Sequence, residues 1–301
     1  MTTLPTIGWI GAGRMGVQMA GFILQAGYPL VVCTRSDANR GKLVAQGARA
    51  AASLAECARA ADVIFSSLPD DAALREVALG DHGVLANAKP GAIYADTSTV
   101  SPQIGAEIDR ESRRFGIAYL RIPISGNAAQ ARTGDLTTLV SGPDAAWKAI
   151  LPVLETFSKA QIYLGPGDEA LYMKLVSNLI IVNTAQAMAE ALTLGRTAGL
   201  DWTLMLDTLA NSAIASPWLK AKAGLLKQRD FAATMTTRLI LKDIDLMLAA
   251  AAANNVSMPI TAVTREMMRA LIDDGMGDDD YMSVVKLAEQ RAGLSSDPSA
   301  S

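Results

Sequence analysis

Gly165–Leu194, GPGDEALYMKLVSNLIIVNTAQAMAEALTL, separates two different kinds of sequence. No proline follows Pro166 in it, and small and apolar residues run nearly all round, so it predicts a helix well beyond the usual three or four turns. Such a helix is expected to be buried along most of its surface, which makes its few polar residues informative. Lys174 and Asn178 lie four residues apart, on one helix face and one turn from each other. Upstream, apolar runs alternate with helical patterns; downstream, only helical patterns occur.

Upstream, the run TIGWI at 6–10 ends on GAGRMG, and a helical pattern of Met15, Met19, Phe22 and Ile23 follows directly. Strand, glycine turn and helix together give Gly11, Gly13 and Gly16 distinct jobs. The first permits a tight turn, the second lets a pyrophosphate approach the backbone, and the third lets helix and strand pack closely. Gly11, Ala12, Gly13, Arg14, Met15 and Gly16 are thus candidate dinucleotide contacts. The second strand, PLVVCTRS, decides which dinucleotide. An acidic residue at its end suits a ribose 2′-hydroxyl, whereas an arginine suits a 2′-phosphate. Here stand Thr34, Arg35 and Ser36, with Arg40 one turn on, so NADP(H) is favoured over NAD(H); Asp37 would serve NAD in a longer loop.

The alternation continues through strands at DVIFSSLP, AIYADTS, AYLRIPIS, TTLVSG and QIYLG, with helices at 101–115 and 144–157 among those between them. This spacing predicts an α/β fold with a mostly parallel, doubly wound sheet of the Rossmann type. The turns Ser66–Pro69 and Asp96–Thr99 fall at strand C-terminal ends, where ligands bind such sheets. Downstream, helices are read at 201–212, 217–228, 239–254, 259–273 and 281–291, with Asp201 as an N-cap and Pro217 and Pro259 at helix starts. The predicted organisation is a nucleotide-binding domain over 1–165, an all-helical substrate and dimerisation domain over 166–292 joined to it by the long helix, and a disordered tail over 293–301.

Several function classes are disfavoured by composition. With 27 basic against 30 acidic residues the net charge is −3, so nucleic acid is a poor partner. Cys33 and Cys57 are too few and too far apart for a zinc motif or a disulfide framework, and the N-terminus lacks the pattern of a secretory signal, which together favour a reducing cytoplasm. Asn178, Asn183, Gln186 and Glu190 interrupt the apolar helix, favouring a buried helix over a membrane span. His82 is the only histidine and sits in the loop GDHG, so it reads as a surface residue and a histidine-based triad has no support. The run Asp278–Asp280 lacks the spaced ligands of a calcium loop and reads as a helix cap, so no metal site is expected.

Lysines in helices are usually solvated, but a lysine on a mostly buried helix must be paired, exposed at a site, or useful. Hydride reduction of a carbonyl builds negative charge on oxygen, and an ammonium group both stabilises that charge and donates the proton. Lys174 fits this role, with Asn178 holding the amine or the substrate. Ser125, Gly126 and Asn127 follow a strand in a turn whose amides suit a carboxylate, although an ordinary turn accounts for them equally.

With these residues in hand, residues 5–292 resemble the β-hydroxyacid dehydrogenases, the family of 3-hydroxyisobutyrate dehydrogenase, tartronate semialdehyde reductase and glyoxylate reductases. The marks occur in order: GAGRMG at 11–16, IPISGN at 122–127 with Thr133, Gly134 and Leu136 behind it, KLVSN at 174–178, and LKDIDLML at 241–248. The resemblance implies Lys174 as general acid/base with Asn178 as its partner, and Ser125 and Gly126 as contacts of a small-molecule carboxylate substrate. It implies Leu68, Pro69 and Thr97 along the cofactor, Lys242 closing over nicotinamide and substrate, and Phe231 and Trp218 shaping the pocket. A homodimer or homotetramer is implied too, since the family's long helices pair between subunits.

The chain departs from the family pattern Asp-Ala-Pro-Val-Ser-Gly-Gly, having Arg121 at the aspartate and Asn127 at the last glycine. Arg121 is expected to favour a second anionic group on a substrate other than 3-hydroxyisobutyrate. The expected activity is NADP(H)-preferring hydride transfer between nicotinamide and a small 3-hydroxy acid or its semialdehyde. Rival readings are an imine reductase, which usually carries Asp or Tyr at the lysine position, and a non-enzymatic dinucleotide-binding module, which tends to have lost that lysine.

Overall fold

The alternating half of the chain folds as a nine-stranded sheet flanked by helices. Its elements are β1 (Ile7–Ile10), α1 (Gly16–Gln25), β2 (Leu30–Cys33), α2 (Asp37–Ala45), β3 (Arg49–Ala50), α3 (Leu54–Ala60), β4 (Val63–Ser66), α4 (Asp71–Leu79), α5 (Val84–Asn87), β5 (Ile93–Asp96), α6 (Pro102–Arg114), β6 (Ala118–Arg121), β7 (Ile124–Ser125), α7 (Ala128–Thr133), β8 (Leu136–Ser141), α8 (Asp144–Leu154) and β9 (Ser158–Gly165). The helical half comprises α9 (Glu169–Thr197), α10 (Trp202–Ala210), α11 (Pro217–Lys227), α12 (Thr237–Ala253), α13 (Pro259–Asp273), a 3₁₀ turn (Tyr281–Ser283) and α14 (Val284–Arg291). The structure is a computed structural model that describes residues 4–295. Two compact units divide between Leu175 and Val176, inside α9, so the first turns of this helix and Lys174 belong with the α/β unit.

In the α/β unit the strand order is β3-β2-β1-β4-β5-β6-β8-β7, with β9 on β8. Strands β1 to β6 pair in parallel, β8 runs antiparallel to β6 and β7, and β9 is parallel to β8. The strand order reverses at β1, which lies between β2 and β4 and therefore opens a crevice at the strands' C-terminal edge. Both sheet faces are covered, because alternate side chains point to opposite sides. One face packs Trp9, Phe65 and Phe157, with Trp9 stacked on Phe65 at 5.5 Å between ring centroids. The other face packs Ile64, Tyr94 and Tyr119 under α4 and α6.

Local chemistry explains most boundaries. Asp70, Ser101 and Asp201 each accept a backbone N–H in the first turn of α4, α6 and α10, and Pro217 and Pro259 open α11 and α13. In the helical unit, polar residues of α9 are met by a neighbouring helix or along α9 itself. Asn183 donates to Thr261 Oγ1 at 3.0 Å and accepts from Thr264 Oγ1 at 2.9 Å, and Gln186 donates to Glu190 on the next turn of α9. By length and composition Glu169–Thr197 would suffice to cross a membrane, but these contacts are those of a helix packed in protein.

Four expectations are corrected. The run AYLRIPIS is two strands, broken at Ile122–Pro123, because Pro123 has no N–H to give a ladder and offers only its carbonyl, to Leu139 N. The turn after Ser125 leads into a short helix, α7, with a capping box between Asn127 and Gln130. The long helix is not buried along most of its surface: Val176 (53%), Ile180 (62%) and Leu194 (71%) stand exposed. Of the tail expected to be disordered, Gly293–Ser295 is ordered, the Ser295 carbonyl accepting from Arg196 Nη1 at 3.0 Å, whereas 296–301 lies outside the described residues.

Candidate active site

The glycine loop carries the three roles in its geometry. Gly11 has φ +82°, and a Cβ there would collide with the Ser67 carbonyl oxygen. At Gly13 an added Cβ would meet nothing within 4 Å, which leaves the open backbone approach that a pyrophosphate requires. At Gly16 a Cβ would press on Gly11 O and lie 3.0 Å from Trp9 Nε1, so helix α1 and strand β1 pack against each other there. The residues present fit a dinucleotide.

Loops at the ends of the neighbouring parallel strands converge on this turn. Ala12 N donates to Thr34 Oγ1 at 3.2 Å, and Asn39 Nδ2 donates to Ala12 O at 2.8 Å, so the β2 loop is tied to the glycine turn. Ser36 caps α2 through Asn39 N, and Arg35 between Thr34 and Ser36 is exposed. Asp37, whose side chain is 83% exposed, pairs with Arg40 at 2.6 Å. On the other side of β1, Thr97 donates through Oγ1 to Ser66 O at 2.7 Å, and Leu68 N donates to Ser98 Oγ at 2.9 Å. Pro69 is exposed beside them. The structure therefore brings Gly11–Gly16, Thr34, Leu68 and Thr97 to one edge of the sheet.

Beneath that edge lies Asp96, which the sequence places at the start of a ligand-side turn without giving it a role of its own. Asp96, at the end of β5, is fully buried and accepts from Ser66 Oγ at 2.5 Å and Ser98 Oγ at 2.7 Å. Burial outweighs these hydroxyls and pushes its carboxyl up to about 6. Through Ser98 it holds Leu68 N, so it braces both loops beside the glycine turn. Its signal was the AIYADTS segment itself, which puts an acid at the C-terminal end of an apolar strand.

Ser125 is partly exposed in β7, opposite Thr137, with Gly126 at φ +143° after it. The Asn127 side chain is occupied as a cap, its Oδ1 accepting from Ala129 N at 2.9 Å and Gln130 N at 3.1 Å. Arg121 is a correction: it is 1% exposed and faces no solvent. Its Nε lies 2.8 Å from Asp168 Oδ1, its Nη1 3.3 Å from Asp109 Oδ1, and its Nη2 donates to Gly105 O at 3.2 Å. A guanidinium so paired is spent inside the protein and does not receive a second substrate anion.

Lys174 is half-buried in the second turn of α9. One turn on, Asn178 is buried and donates through Nδ2 to Asp243 Oδ2 at 2.8 Å. Asp243 Oδ1 lies 2.9 Å from Lys242 Nζ, so the helical unit itself joins Asn178 to the LKDIDLML segment through a buried carboxylate. Asp243 was missed, although it stands beside Lys242 in that segment. Elsewhere in the helical unit, Trp218 Nε1 donates to Tyr281 Oη at 2.8 Å. The buried Phe231 ring is covered by the Lys286 ammonium at 4.2 Å and the Arg229 guanidinium at 5.3 Å. Among the described residues, no group of three or more His, Cys, Asp or Glu is placed to hold a metal ion.

Residues 6–165 match the NAD binding domain of 6-phosphogluconate dehydrogenase, and residues 169–288 match the family described as NAD-binding of NADP-dependent 3-hydroxyisobutyrate dehydrogenase. The chain is 33% identical over 290 residues to 2-(hydroxymethyl)glutarate dehydrogenase of Eubacterium barkeri, covering 96% of each. It is 30% identical over 294 residues to the NAD-dependent L-serine dehydrogenase of Pseudomonas aeruginosa, covering 95% of this chain and 99% of the relative. The crystal structure of 3-hydroxyisobutyrate dehydrogenase from Salmonella typhimurium superposes with a TM-score of 0.84 at 27% identity, covering 94% of this chain and 99% of that one. The chain belongs to the β-hydroxyacid dehydrogenase family, nicotinamide-dinucleotide-dependent oxidoreductases that act on hydroxyl groups.

Proposed function

We propose that this protein is an NADP(H)-preferring dehydrogenase of small 3-hydroxy acids, with Lys174 as its general acid/base. The observation that carries the reading is Lys174 itself, half-buried near the start of α9 in the same compact unit as the glycine turn. A nicotinamide dinucleotide held by Gly11–Gly16, Thr34 and Thr97 would supply the hydride acceptor or donor. In oxidation the Lys174 amine takes the hydroxyl proton; in reduction its ammonium donates that proton and stabilises the developing alkoxide. Asn178 has its amide nitrogen committed to Asp243, which leaves its oxygen to accept from the lysine amine or the substrate. Ser125 and Gly126 take the substrate carboxylate, and Asn127 contributes backbone because its side chain caps α7.

NADP(H) is supported by Arg35, exposed on a loop tied to the glycine turn, while Asp37 is drawn into a pair with Arg40. Arg35→Ala should lower the preference for NADP over NAD by about tenfold, read as the ratio of the two dissociation constants. We also place the protein in the cytoplasm, where the free thiols of Cys33 and Cys57 stay reduced, and assign it a homodimer or homotetramer that covers the apolar face of α9.

Initial rates of nicotinamide absorbance test the assignment, with NADP and NAD each run against 3-hydroxyisobutyrate, L-serine and 2-(hydroxymethyl)glutarate. Turnover with NADP preferred is the expected result. Turnover of cyclic imines alone would transfer the chain to imine reduction, and cofactor binding without any turnover would make it a binding module.

A further inference from the structure

We propose that Arg121 is a positioning residue for the catalytic lysine, clamping the first turn of α9 to the α/β unit. This deepens the assignment of Lys174 and rests on it. Arg121 ends β6, where the family pattern usually has an aspartate, and its guanidinium reaches two helices at once. On α6 it meets the Gly105 carbonyl and Asp109, one turn apart; ahead of α9 it meets Asp168. The Asp168 carbonyl accepts from Leu171 N at 3.0 Å and Tyr172 N at 3.2 Å, so the carboxylate that Arg121 grips belongs to the residue that closes the helix's first turn.

Two further contacts fasten the same turn. Ala170 N donates to Ser141 Oγ at 3.1 Å, and Leu171 is 1% exposed in the apolar cluster beneath α6. A Cβ at Gly105 would meet Leu171 Cδ1 at 2.5 Å and Asp168 Oδ1 at 3.0 Å, so any larger residue there would have to push these two side chains aside. Lys174 follows within the next turn of a rigid helix, and its placement is fixed from that point. The clamp also continues toward the cofactor edge. The Arg121 guanidinium lies over the Tyr119 ring at 4.9 Å, Tyr119 packs on Tyr94 at 5.4 Å, and Tyr94 Oη is 2.9 Å from Ser66 Oγ, the partner of Asp96. One buried chain of contacts thus links the start of α9 to the loops around Leu68 and Thr97.

Displacing a catalytic group by about 1 Å can lower the rate by about 100-fold, so a loosened first turn should appear in kcat rather than in cofactor binding. The experiment compares Arg121→Met, Arg121→Lys and the pair Arg121→Met with Asp168→Asn, each saturated with NADP, by amide hydrogen exchange. Exchange over 170–175 is expected to speed up by about tenfold or more in Arg121→Met, while the amides of β1 and β2 and the NADP dissociation constant stay within about twofold. The lysine variant should lie between, and removing the orphaned Asp168 charge should recover part of the loss. On the best substrate of the panel, kcat should fall about tenfold with a smaller change in KM.

Unchanged exchange over 170–175 overturns the proposal. So does acceleration spread evenly across both units, which would make Arg121 a residue of general stability. The two readings fail separately: full activity in Lys174→Ala would sink the assigned chemistry, whereas the exchange pattern still decides the clamp.

Discussion

The helical unit and the ligand edge of the α/β unit bury carboxylates in opposite ways. In the helical unit, among the described residues, the buried acids Asp243, Asp280 and Glu289 each meet a cation. Asp280 receives Lys222 Nζ at 2.8 and 2.9 Å, and Glu289 receives both Arg196 and Arg229 at 2.7 and 2.8 Å. At the ligand edge, Asp96 meets the hydroxyls of Ser66 and Ser98 and the Ser98 backbone N–H, with no cation among its described partners. A buried cation joins a carboxylate to a second element and offsets part of the cost of burying it, whereas Asp96 has no such charge and its burial raises its pKa. Arg121, back in the α/β unit, follows the first pattern, and this is why it belongs to the scaffold of α9 rather than to the substrate.

The sharpest break in this comparison is Lys222→Met, which strands Asp280 without its cation and should cost about 3–5 kcal/mol in the urea unfolding of the purified protein. A change under about 1 kcal/mol would mean that the pair contributes little net energy and that the contrast is geometric only. Next comes Asp96. Its carboxyl is raised from 3.8 to about 6, so the folded protein keeps a proton that the unfolded chain has released in that window. The stability from this proton is full below pH 3.8 and is lost as pH rises through about 6; the loss amounts to about 3 kcal/mol. Asp96→Asn cannot ionise and should flatten that slope between pH 4 and pH 8; an unchanged slope would place the titration elsewhere. The smallest effect is expected at Asn127, whose replacement by Ala removes a cap worth about 1 kcal/mol. A large rise in KM with unchanged unfolding would instead return its side chain to the substrate.

How much of this was legible in the sequence follows from how local each cause is. The glycine turn, the caps at Asp201 and the starts at Pro217 and Pro259 each depend on neighbours within a few residues, and the structure has them as read. Helix α7 is too short to show a period, although the Asn127 and Gln130 spacing of its capping box was in plain view. Arg121 was misjudged because one carboxylate partner lies on α6 and the other ahead of α9, and pattern alone does not bring them together. The same distance hid Asp243 from Asn178, which lies 65 residues earlier. The exposed face of α9 was missed because an apolar stripe reads alike whether it meets the chain's own core or remains open, as Ile180 does at 62%.

The central claim is that Lys174 carries the proton. Single-turnover reduction of NADP by the best hydroxy acid, in the parent protein and in Lys174→Ala, tests it most directly. The account predicts a rate lower by about 10²–10⁴-fold with the NADP dissociation constant within about twofold. An alanine variant that keeps the parent rate would contradict it.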